Sequence, residues 1–169
     1  MTISDVRVSW VMIHVPELQF EVRWHALDEA GRIITGHGSR WVQRYAEMSA
    51  ARKALVQEEG ARLRALIKAM LARFDTLDPT GEATLLRVDI VRWDDEGRVG
   101  LNIVRYLDDA EFPSELLIEE MPTPDGLRIM LNYRETVSAE DGAWASTQIR
   151  AVLERFDEIA RQLRIAKVR

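Results

Sequence analysis

Residues 18 to 25 alternate without a break. Leu18, Phe20, Val22 and Trp24 share one parity, and Gln19, Glu21, Arg23 and His25 share the other. This is the period-two pattern of a strand with one buried face. Just upstream, Val6, Val8, Val11, Ile13 and Val15 form a β-branched run that stops at Pro16-Glu17. With Pro16-Glu17 as a two-residue hairpin loop, Val15 faces Leu18, Ile13 faces Phe20 and Val11 faces Val22. All six side chains then lie on one face. A slip of one residue would mix that face with charge, so the register is tightly constrained. In this register His14 pairs with Gln19, and His25 falls opposite Val8.

The hairpin chemistry returns later in the chain. Val22-Arg23-Trp24 precedes Asp28-Glu29-Ala30-Gly31-Arg32-Ile33, and Val91-Arg92-Trp93 precedes Asp95-Glu96-Gly97-Arg98-Val99. Each copy reads as a strand, an Asp/Gly turn and a returning strand. Side-chain parity places Trp24 on the core face and Trp93 on the opposite one. The two copies therefore share turn chemistry without having equivalent tryptophans.

Three strands are expected before residue 37, followed by the loop Gly36-His37-Gly38-Ser39. From Trp41 to Phe74, apolar residues recur at helical spacing. A single helix over that stretch would be about 50 Å long at 1.5 Å per residue, and Gly60 is where it would kink. After the turn Asp78-Pro79-Thr80-Gly81 come strands over 83–93, 98–106, 115–121 and 127–133. In the first two of these, Val88 and Ile90 would meet Leu101 and Ile103 on the core face. Ser138 is then placed to cap a final helix, with Glu140 and Asp141 in its first turn, where the helix dipole favours acid.

The order βββ-α-ββββ-α, with short turns and alternating faces, predicts an α+β fold. It has an antiparallel sheet of about seven strands, with two long helices packed on one face. At 169 residues the chain fits a single domain, 1–169. The repeated hairpin would divide it into related halves, 1–77 and 82–169.

Several function classes lose support at this point. There is no cysteine, which removes thiolate metal sites, disulfides and cysteine nucleophiles. His14, His25 and His37 lack any metal-ligand spacing, so neither a metal nor another cofactor is expected. The N-terminal residues do not resemble a signal peptide, and no apolar run approaches the roughly 20 residues of a membrane span. A cytoplasmic location without membrane contact follows as the expectation. A net charge of −5 and the absence of RNA-binding aromatic motifs argue against nucleic acid.

Two surface features carry the functional expectation. Between Asp94 and Gly126 there are ten acidic residues against two basic ones, including Asp94, Asp95, Glu96, Asp108 and Asp109. Solvated turns explain those acids, and so does an acidic surface that steers a cationic partner. The face of the sheet away from the core would carry Val8, Trp10, Met12 and Ile34 in the first half. In the second half it would carry Val91, Trp93, Val104 and Tyr106, beside Arg87, Asp89 and Asn102. Aromatics and a methionine among charges are interface chemistry. The sequence thus points to a non-enzymatic protein-binding module of the adaptor, chaperone or inhibitor kind. Trp10, Met12, Trp93 and Tyr106 would be its anchors, its partner another protein, and homodimers are expected. The competing expectation is a small-ligand binder or hydrolase with a pocket between sheet and helices near His37, Ser39 and Arg40. There Gly36-His37-Gly38-Ser39-Arg40 would form an anion-binding turn at a helix N-terminus.

Overall fold

The computed structural model describes residues 3–15, 19–44, 50–74, 86–93, 97–107, 110–111, 116–124, 126–131 and 135–162, with side chains described for most of them. The strands are β1 (Asp5–Val15), β2 (Gln19–Leu27), β3 (Ile33–Arg44), β4 (Leu86–Trp93), β5 (Arg98–Leu107), β6 (Ala110–Glu111), β7 (Leu116–Thr123), β8 (Gly126–Leu131) and β9 (Glu135–Thr136). The helices are α1 (Ala50–Arg73) and α2 (Ala139–Gln162). All strand pairs are antiparallel. The sheet runs β3-β2-β1-β4-β5-β7-β8-β9, with the two-residue β6 paired to β5. The seven long strands are those expected from the alternation, and the fold is α+β. Because β1 pairs with β4, one sheet joins strands from before and after α1.

Parity sets the core. Val11 pairs with Val22, Ile13 with Phe20 and His14 with Gln19, the register the alternation predicts. Val88 pairs with Ile103 and Ile90 with Leu101, again as predicted. The core face carries Val11, Val22, Trp24, Val88, Ile90, Val99, Leu101, Ile103 and Ile118, all nearly inaccessible. Above them lies α2, against β1, β4, β5 and β8, burying Ala145, Ile149, Leu153, Phe156, Ile159 and Ala160 at helical spacing. Its start is capped as expected: the Asp141 amide donates to Ser138 Oγ over 3.2 Å. In the same turn Gly142 lies so close to β8 that a Cβ would meet Ile129 Cγ1 at 2.9 Å.

The first strand departs from simple alternation. Val8 pairs with Trp24 and Trp10 with Arg23, leaving Ser9 as the extra residue of a β-bulge. The bulge reverses parity. Val6 and Val8 therefore reach the same face as Val11, and Val8 is completely buried rather than lying outside with Trp10 and Met12. His25 pairs with Arg7 instead of Val8, and Ile34 is also in the core.

At the bulge β1 has run past the end of its pairing with β4, and two side chains continue the ladder in place of backbone. The Val8 amide donates to Asp157 Oδ1 over 2.6 Å, and Arg92 Nη1 donates to the Val8 carbonyl over 2.8 Å. Arg92 and Asp157 also pair directly through three 3.2 Å contacts, with both side chains about nine-tenths buried. A second knot ties α2 to β7 and to the turn before β5. Arg150 grips both oxygens of Glu120 and donates to the Gly97 carbonyl, while Glu120 accepts from the Val99 amide.

Helix α1 is shorter than its apolar period suggests. Trp41 belongs to β3, paired with Val22. The helix is about 36 Å long at 1.5 Å per residue and runs without interruption through Gly60. It lies antiparallel to α2, joined by Arg155–Glu59 at one end and Arg73–Asp141 at the other, 2.7 and 2.6 Å.

Candidate functional site

The face of the sheet away from α2 presents two continuous rows of side chains. The first crosses five strands through Arg23, Trp10, Val91, Gly100 and Glu119, and reaches Met130 on β8. The second runs through Met12, Asp89, Asn102 and Leu117. Their parity is fixed by the core residues on either side: Ile90 and Arg92 flank Val91, Val99 and Leu101 flank Gly100, and Ile118 and Glu120 flank Glu119.

This face is half-buried and mixed in chemistry. Trp10, Met12, Val91, Leu117, Met121 and Met130 are all partly exposed. The Arg23 guanidinium stacks over the Trp10 ring at 4.3 Å from its centroid, a cation–π contact. Arg87 and Asp89 form an ion pair at 3.3 Å. Beside them Glu119 is only 7% exposed, and among the described residues neither its Oε1 nor Asn102 Oδ1 has a hydrogen-bond partner. Burial pushes the Glu119 carboxyl above its ordinary value, against the opposing pull of the Arg98 charge.

Trp10 and Met12 thus lie together on the expected face. Trp93 and Tyr106 hold strand positions opposite Arg98 and Glu111, and their side chains fall outside the described part of the structure. Asp94, Asp95, Glu96, Asp108 and Asp109 lie outside the described residues. Gly36, His37, Gly38, Ser39 and Arg40 belong to β3, where Gly38, Ser39 and Arg40 pair with His25, Trp24 and Arg23. The anion-binding turn expected there required a loop entering a helix. Antiparallel pairing with β2 draws these residues into the sheet edge instead, and α1 begins at Ala50.

The sequence reading missed Gly100 and Glu119. An isolated glycine inside a strand pattern was the available signal, since such a residue marks a bulge or a place that needs space. Among the described residues, no group of His, Asp and Glu is placed to hold a metal ion, and no helix is long and apolar enough to cross a membrane. A cleft of about 540 Å³ lies between α1 and α2. Apolar residues such as Leu66, Trp144 and Val152 line it, and Glu59, Arg62 and Arg155 close it with charge. Glu59 accepts from both arginines, so that cluster is already matched internally.

No protein-family model matches the sequence, and no curated protein and no solved structure matches it either.

Proposed function

We propose that this protein is a small non-enzymatic binding module, of the adaptor, chaperone or inhibitor kind, which docks another protein on the outer face of its sheet. The observation that carries this reading is the composition of the two central rows. Partly exposed Trp10, Met12, Val91, Leu117 and Met130 lie among the polar groups Arg87, Asp89, Asn102 and Glu119. Aromatic and methionine side chains supply contact area at interfaces, and methionine adapts its shape to the partner. A cationic partner would suit the net charge of −5. The same face would carry any self-association.

A photoreactive side chain at Arg7, beside the rows, tests the location. It is expected to cross-link a partner or a second copy, whereas the same group at exposed Ala143 of α2 is not. Trp10→Ala should weaken the captured association by tenfold or more, on the order of a 2 kcal/mol hot spot. It should cost the fold no more than about 3 kcal/mol, because the indole is only partly buried and the stacked guanidinium adds about 1 kcal/mol. Cross-links confined to Ala143, or a collapse of the melting temperature in Trp10→Ala, would refute the reading.

A further inference from the structure

Helices α1 and α2 are tied at both ends, by Arg155 with Glu59 and by Arg73 with Asp141. The cleft of about 540 Å³ lies along the stretch between the ties. Its lining runs from Glu59 to Ala69 on α1 and from Trp144 to Arg155 on α2, about 15 Å of helix on each side at 1.5 Å per residue. Spread over that length, the volume corresponds to a cross-section of about 36 Å², a trough about 6 Å wide. Exposed alanines line both walls, Ala65 and Ala69 on α1 and Ala151 on α2, where longer side chains would close the gap. Leu63 and Leu66 lie buried beneath them.

Each end is occupied by side chains that hold one another. At one, Glu59 accepts from Arg62 and Arg155 at 2.9 and 2.7 Å, and the same arginines reach Glu58 and Glu158. At the other, Arg73 stacks over the Trp144 ring at 4.5 Å, with the Phe74 ring 6.5 Å from that of Trp144.

We propose that this trough is a binding site for one linear, uncharged apolar chain, of the kind carried by a long-chain alcohol or an acyl ester. Its polar head lies at the Glu59 end and its tail at Trp144. The trough is on the α2 side of the sheet, away from the docking face, and does not depend on it. Three features select this ligand. A trough of this width takes a single alkyl chain, whereas a partner helix, about 10–12 Å across with its side chains, can only ride above it. Apart from Gln148 the lining is apolar until the charged end, the pattern by which a few polar groups orient a mostly apolar ligand. At that end three carboxylates already face two guanidiniums. A further anion is repelled there and an ammonium must compete with the arginines, while a hydroxyl can accept from an arginine, which has five N–H donors, without breaking a pair.

The test is a fluorescence titration of the intact protein with ω-bromodecanol, whose bromine quenches a tryptophan that it touches, beside calorimetry with unbrominated decanol. Saturable quenching is expected. Trp144→Phe should remove the quenching and leave decanol binding little changed. Ala151→Leu keeps a good helix former and fills the trough. It should weaken both alcohols about tenfold or more with the melting temperature maintained. Ala143→Leu, exposed on the same helix outside the lining, should change neither. Decanoate and decyltrimethylammonium should bind at least about tenfold more weakly than decanol, since each brings a charge with no free counterpart. Quenching that fails to saturate, or that survives Trp144→Phe or Ala151→Leu, would overturn the site. Binding of either charged chain as tight as that of decanol would overturn the uncharged ligand.

Discussion

Asp157→Ala should be among the most damaging single substitutions on α2. In the folded protein Asp157 accepts from the Val8 amide and faces Arg92, which is 7% exposed. Removing the carboxylate leaves a buried guanidinium without its counter-charge and an N–H at the bulge without an acceptor. Stranding one member of a buried ion pair costs about 3–5 kcal/mol. For a chain of this length each kcal/mol lowers the melting temperature by about 2–4 °C, so a fall of about 6–20 °C is expected. Urea unfolding monitored by tryptophan fluorescence gives the free energy directly, provided the slope against denaturant is unchanged. The paired substitution Arg92→Met with Asp157→Leu removes both charges. It should lose less than the two single changes added together, since only the Val8 amide and carbonyl then remain unmet. Arg161→Ala supplies the control. It breaks the Asp5–Arg161 pair, whose side chains are roughly half exposed, and should cost less than about 1 kcal/mol. If Asp157→Ala costs no more than Arg161→Ala, or if the double substitution equals the sum of the singles, the ladder-continuing role of this pair is wrong.

Glu119→Gln should gain stability at neutral pH. The Glu119 carboxyl titrates above its ordinary range in the folded protein, so folding favours its protonated form. That penalty is absent below the unfolded pKa, grows as pH rises through the folded one, and is complete above it. The stability difference between variant and wild type should therefore open from near zero at pH 3–4, a range set by the ordinary carboxyl value of about 4.3; a variant less stable at pH 7 would contradict the assignment. Gly142→Ala should destabilise despite better helix propensity. Propensity offers about 1 kcal/mol, whereas overpacking against Ile129 at 2.9 Å costs about 1–3 kcal/mol. Thermal melts decide the sign, and a gain of about 1 kcal/mol would show that β8 yields freely.

What could be read from the sequence follows from where parity was unambiguous. The pairs Val11 with Val22 and Ile90 with Leu101 were legible because only one register buries all the apolar residues. The Ser9 bulge was written in the same stretch as a change of phase, Val6 and Val8 on one parity and Val11 and Ile13 on the other. A single uninterrupted strand is the simpler pattern, and it would place Val8 outside. Trp41 fitted a helical spacing by accident of period, and cross-strand pairing with β2 outweighed it. The site was half legible. Trp10 and Met12 follow from alternation, but β7 reads Leu116-Leu117-Ile118-Glu119-Glu120, where both parities carry an apolar residue and an acid. Nothing local tells which glutamate meets Arg150 beneath the sheet and which faces outward.

The Val8–Asp157 hydrogen bond also bears on how the chain is made. It joins residues 149 positions apart, so during synthesis β1 emerges long before the carboxylate that completes it. Until α2 is released, the bulge amide has only water for a partner, and β1 has no helix over its core face. A helix made long after β1 is therefore the one that closes it. A nascent chain paused before residue 157 should leave β1 accessible to chaperones or to premature pairing with another chain, and release of α2 should end that exposure.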